Sequence, residues 1–175
     1  MTKPTTAVAA FVIALAIAPL SLPAQPAQPD TTELTNQARA LTKKFAARML
    51  KDLQGALRAG GPENAVKVCK QIAPKIAKEE SGQSGGWKIG RTALRVRNPA
   101  NAPDQFERKI LEHFQAKAAA GANLATLDHA EIVGTGANRT FRYMKPIVMG
   151  KLCLTCHGPE VAPEIKTVLG EHSTA

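Results

Sequence analysis

An α+β domain is the fold class the sequence predicts, on three observations. Apolar residues recur at helical spacing from Leu34 to Ile76. The period then changes to two after a Gly-rich break at 81–86. Gly-rich turns punctuate everything that follows. At 175 residues with no internal repeat, the chain holds one domain's worth of sequence.

Each element follows from local chemistry. Asp30-Thr31-Thr32-Glu33 reads as a helix start, an Asp cap with Glu three residues on. Leu34, Ala38, Leu41, Phe45, Met49, Leu53 and Leu57 then form the apolar stripe of a long helix, stopped by Gly60-Gly61. Pro62 opens a second helix, where a missing N–H does no harm. Its stripe is Ala65, Val68, Cys69, Ile72 and Ala73, with Ile76 beyond Pro74, which should kink or end it. From Trp87 to Arg97, Thr92, Leu94 and Val96 alternate with Arg91, Ala93, Arg95 and Arg97, which predicts a strand with one basic face. Asn98 to Pro103 is a turn. Asp104 to Ala120 is a helix with Phe106, Ile110 and Phe114 inward, stopped by Gly121. His129 to Val133 and Thr140 to Val148 form a hairpin around Gly134 to Asn138, and a short helical turn closes the domain.

That last turn carries Cys153-Leu154-Thr155-Cys156-His157. Two thiols three positions apart, followed at once by an imidazole, suit covalent attachment of one c-type haem. Thioethers from Cys153 and Cys156 would hold it and His157 would ligate the iron as proximal ligand. A thioredoxin-like dithiol needs a strand and a long helix around its CxxC, and too little chain follows Cys156 for that unit. A zinc site needs a second pair of ligands, and the chain has no second CxxC and no HxxxH.

The N-terminus sets the compartment. Lys3 precedes an apolar, uncharged stretch from Ala7 to Leu22 and a small-residue exit at Leu22-Pro23-Ala24-Gln25, the layout of a secretory signal. The stretch is broken by Pro19 and falls short of a comfortable bilayer span, so membrane contact is expected only through an uncleaved signal anchor. The expected organisation is a signal at 1–24, a linker at 25–30, a haem-binding domain at 31–160 and a short polar tail at 161–175. Export to the periplasm suits thioether chemistry, which bacteria carry out outside the cytoplasmic membrane. The net charge of +9 then points to an acidic redox partner rather than to nucleic acid, and an aromatic content of 4% argues against a base-stacking surface.

With these segments placed, the chain resembles a family of exported c-type haem proteins with a PAS-like fold, long filed as a domain of unknown function. Some of its members form the periplasmic sensing part of signalling proteins. Five stretches carry the resemblance: Val68-Cys69-Lys70-Gln71-Ile72-Ala73, Trp87-Lys88-Ile89-Gly90-Arg91-Thr92, Arg97-Asn98-Pro99-Ala100-Asn101, Lys145-Pro146-Ile147-Val148 and Cys153 to Gly158. It implies a PAS-like antiparallel sheet behind long N-terminal helices, and His/Cys ligation with Cys69 opposite His157. It also implies further chain after the haem turn, including a Gly-rich strand, so a sheet edge is expected to lie open here.

The residues themselves leave Cys69 two readings: the odd cysteine of an exported protein that calls for an explanation, or a small buried hydrophobe. Met144, Met149, His113 and His129 are weaker candidates for the same position. Arg91, Arg95 and Arg97 share one face, and Arg139 and Arg142 lie on the hairpin. Arg91, Arg95, Arg97 and Arg142 are the residues offered to haem propionates, since guanidinium matches carboxylate geometry. Trp87 belongs either to the core or beside the porphyrin.

Three functions fit this reading. The first is monohaem electron transfer without enzymatic chemistry, since the sequence shows no convincing acid–base pair. The second is a redox or gas sensor acting through a separate signalling protein. The third is a cytochrome c′-like four-helix bundle, which also carries its haem motif late in the chain.

Overall fold

A long helix, α1 (Thr31–Lys67), opens the computed structural model, which describes residues 31–173. The expected signal and linker lie outside the described residues. Ala38 and Phe45 are buried on the apolar face of α1. The helix bends sharply at Gly60–Gly61, as the sequence predicts. Gly61 has φ 63° and ψ −157°, a conformation essentially reserved for glycine, and Pro62 sits in the first turn of the new arm.

Pro74 does not end this arm. The helix widens into a single π-turn, Val68–Ile72, in which the Ala73 N–H reaches back five residues to the Val68 carbonyl. It then resumes as α2 (Ala73–Gln83), with Pro74 in its first turn. The extra residue in the wide turn lets the chain pass a proline that an unbroken α-helix would not accommodate. Ion pairs from Lys44 and Arg48 to Glu79 and Glu80 tie α2 to the first arm of α1.

The expected strand from Trp87 to Arg97 is not formed. The segment is irregular, because a strand needs a paired neighbour and the sheet among the described residues has only two strands. It is anchored instead by scattered contacts. The Ile89 N–H donates to Ser81 Oγ at 3.0 Å, the Thr92 hydroxyl donates to the Asn101 carbonyl at 3.0 Å, and Trp87 packs edge-on against Phe141 with ring centres 5.6 Å apart.

α3 (Gln105–Ala119) starts in a reciprocal capping box. The Glu107 N–H donates to Asp104 at 2.8 Å and the Asp104 N–H donates to Glu107 at 3.0 Å. Its Ile110 and Phe114 are buried. β1 (His129–Val133) pairs antiparallel with β2 (Thr140–Met144), from His129 opposite Met144 to Val133 opposite Thr140. β2 stops short of the expected Val148, and Pro146, which has no N–H, follows within two residues.

The hairpin is tied to α1 through Asp128. Arg39 donates to both carboxylate oxygens, at 2.6 and 3.2 Å, and the Tyr143 hydroxyl donates to one of them at 3.0 Å. Next come α4 (Lys151–His157), which bears the CxxCH run, and α5 (Pro163–Ser173). The stretch expected as a tail therefore carries a helix, which packs on α1 and α4 and buries Ile165. The architecture is α+β, and the hairpin and the irregular segment at 84–98 set it apart from a four-helix bundle.

Candidate functional site

Three segments meet in one place: the π-turn with Cys69, the irregular segment at 91–97, and α4. In α4, Cys153, Cys156 and His157 stand at i, i+3 and i+4, so all three share one helix face. Gly150 begins the helix, its carbonyl accepting from the N–H groups of Cys153 and Leu154, and the Gly158 N–H closes it on the Leu154 carbonyl at 2.9 Å. All three cysteines are free thiols, and each is half-buried.

Cys69 lies close enough to both motif cysteines for their charges to act on one another. Burial pushes the Cys69 thiol up, the neighbouring Arg91 opposes that, Cys153 adds to it, and Arg97 again lowers it. The Cys156 thiol is likewise pushed up by burial and by Cys69. The His157 imidazole is pushed down by burial first, then by the positive charges of Arg97 and Arg91, although solvent still reaches the residue. That favours the neutral ring, which is the form that ligates metals.

The irregular segment grips both neighbours. Arg91 Nη2 donates to the Cys69 carbonyl at 3.3 Å, and Arg97 Nη2 donates to the Cys156 carbonyl at 2.7 Å. The apolar surroundings are unusual. Apart from Leu50, every large apolar side chain left exposed among the described residues belongs to the segments that bear these groups: Ile72 beside Cys69, Ile147, Val148 and Met149 just before α4, and Leu154 within it. Ile147 is 62% exposed and Val148 54%. Exposed apolar side chains gathered on neighbouring segments are a feature of ligand-binding and interaction surfaces.

The other candidates are held elsewhere. Arg142 pairs with Asp104 at 2.6 Å and Glu107 at 3.2 Å and lies 4.4 Å over the Phe106 ring. Arg95 and Arg139 are exposed, Arg139 beside the hairpin turn. His129 meets Glu131 at 3.0 Å, His113 is exposed on α3 beside Phe114, and Met144 ends β2 opposite His129. Met149 is exposed before α4. Trp87 packs on the hairpin.

Two open clefts, of about 520 and 340 Å³, lie along the hairpin and the start of α1, and neither is lined by a cysteine. The CxxCH face therefore sits apart from both of these clefts. No three His, Cys, Asp or Glu side chains converge on one point among the described residues. A haem iron takes four nitrogens from its porphyrin and asks only two donors of the chain, so the residues present fit that group: two thiols and an imidazole on one helix face, a third thiol nearby, and an apolar surround.

Sequence reasoning missed what Arg91 and Arg97 hold. The signal was there: Pro74, five residues after Cys69, removes the amide that a wide turn would offer to the Cys69 carbonyl.

The fold and site define an α+β domain with a late CxxCH helix set against a cysteine on a helical arm. The chain matches the Tll0287-like family over residues 25–173, nearly its whole length, and belongs to that family. No curated protein and no solved structure matches it.

Proposed function

We propose that this chain is a periplasmic monohaem c-type protein that carries electrons, with Cys153 and Cys156 holding the haem through thioethers and His157 and Cys69 as the two iron ligands. The observation that carries the reading is the coincidence, in one place, of the CxxCH face, the third thiol and the exposed apolar set of Ile72, Ile147, Val148, Met149 and Leu154. Bound haem supplies a one-electron ferric/ferrous couple.

The chain's own residues do the rest. Cys153 and Cys156 fix the position of the group on α4, the apolar side chains exclude water from its face, and His157 presents a neutral ring nitrogen. Thiolate donation from Cys69 favours the ferric state and gives a low reduction potential compared with His/Met ligation. The basic surface suits an acidic redox partner.

A second reading, a redox sensor that works through a separate signalling protein, is favoured by one observation. Cys69 stands on a π-turn, a local geometry frequent at functional sites.

The test is the optical spectrum of the haem-matured protein, oxidised and reduced, beside Cys69→Ala. A thiolate-ligated low-spin ferric spectrum that is lost in the variant is expected. Covalent haem with an unchanged spectrum in the variant would move the sixth ligand to another residue, and absence of covalent haem would end the reading.

A further inference from the structure

We propose that Arg91 is the positioning residue for the Cys69 sulfur: it caps the Cys69 carbonyl and so brings a fixed positive charge to the sulfur, which sets how strongly that sulfur donates to iron. This rests on the haem reading above and adds the residue that tunes its distal ligand.

The argument begins with the backbone. In the π-turn, the Ala73 N–H is given to the Val68 carbonyl. The next carbonyl, that of Cys69, would in the same register accept from residue 74, which is Pro74 and has no N–H. The turn thus leaves the Cys69 carbonyl without a helical donor, and a half-buried orphan carbonyl needs a partner. Arg91, 22 residues on, supplies it at 3.3 Å from Nη2. The same segment repeats the device six residues later, where Arg97 caps the Cys156 carbonyl near the end of α4.

A guanidinium tied to the Cys69 carbonyl also acts on the Cys69 thiol through its charge, opposing the rise that burial causes. The charged and titratable groups facing Cys69 are Arg91, Arg97, Cys153 and Cys156. Of the two arginines, Arg91 alone is tied to Cys69 itself, whereas Arg97 is tied to Cys156. Hydrogen bonds and positive charge at a ligating sulfur withdraw electron density from the metal and favour the reduced state, an outer-shell effect that tunes potential. Removing Arg91 should therefore lower the reduction potential, and a lysine should retain most of the effect.

The experiment is a potentiometric titration of the haem-loaded protein, with spectra, for the wild type, Arg91→Gln, Arg91→Lys and Cys69→Ala. Expected for Arg91→Gln is about a tenfold shift of the equilibrium toward the ferric state, which is ~59 mV for a one-electron couple. Arg91→Lys should stay near the wild type. An unchanged midpoint in Arg91→Gln, where Cys69→Ala alters the spectrum, would overturn the role of Arg91 and leave the ligation reading intact. An unchanged spectrum in Cys69→Ala would overturn the ligation reading itself.

If Arg91→Gln retains no haem, Arg91→His decides. Its midpoint should fall, relative to the wild type, as pH rises through the imidazole range near about 6.5 and the charge is lost. A midpoint that runs parallel to the wild type across that range would overturn the proposal.

Discussion

At the residue scale, Asp128 shows how one carboxylate joins distant parts of the chain. It accepts from Arg39 on α1 and from Tyr143 on β2. Arg39 first, with further help from Tyr143, outweighs burial and holds its carboxyl below the ordinary range. The Tyr143 phenol moves the other way. Burial, then the hydrogen bond and charge of Asp128, push it up to about 12. Tyr143 is the chain's single tyrosine, so its titration can be read directly by ultraviolet absorbance. In Asp128→Asn the phenol should titrate measurably lower, part of the way toward the ordinary value near about 10. A curve that does not move would mean burial alone sets it. In Tyr143→Phe the lost hydrogen bond to a charged acceptor should lower unfolding free energy by about 1.5–3 kcal/mol, as measured by urea denaturation.

At the element scale, the helices were legible because their period is a local property. The stripe from Leu34 to Leu57, the break at Gly60-Gly61 and the α3 stripe of Ile110 and Phe114 each follow from a few neighbouring residues. The hairpin was legible for the same reason, as was the placing of the CxxCH run on a helical turn. What was not legible depends on distant partners. Alternation from Arg91 to Arg97 reads as a strand, yet with no neighbouring strand to pair among the described residues, two of its arginines turn to the carbonyls of Cys69 and Cys156, and those contacts span 22 and 59 residues. Pro74 read as a kink or a stop, because a π-turn cannot be inferred from period alone. The Gly60–Gly61 bend gives a sharp test. A Cβ at position 61 would meet nothing within 4 Å, so Gly61→Ala pays only for its backbone, φ 63° and ψ −157°. It should lower stability by about 1–3 kcal/mol in chemical denaturation. At position 60 the obstacle is different, since a Cβ there would run into the Asn64 side chain. Gly60→Ala should therefore be rescued in part by Asn64→Gly or Asn64→Ala, and Gly61→Ala should not.

At the scale of the whole molecule, three carboxylates hold the elements to one another, and they make stability depend on pH. Glu80, 2% exposed on α2, faces Lys44 Nζ at 2.7 Å, a pairing by charge whose angle falls short of an aligned hydrogen bond, and Arg48 at 3.2 Å on α1. Lys44 and then Arg48 hold the Glu80 carboxyl below its ordinary value against burial. Asp128 ties the hairpin to α1, and Arg39 keeps it low. Asp104 is kept low by the Glu107 amide it caps, with Arg142 of β2 adding to that, so it joins α3 to the hairpin. All three values are lower in the folded chain than in the unfolded one. The stabilisation is therefore complete above the unfolded carboxylate range, near about pH 4, and is lost as pH falls through the lower folded values. Protonation also frees Lys44, Arg48, Arg39 and Arg142 in a chain that already carries +9, which adds repulsion in the same direction. These three carboxylates should hence leave the melting temperature unchanged from about pH 7 to 5 and lower it steeply below about pH 4. In Glu80→Gln the neutral pH melting temperature should drop and the acid slope should flatten, because one of the three protonations no longer differs between the two states. A variant as acid-sensitive as the wild type would place the linkage on Asp104 and Asp128 alone.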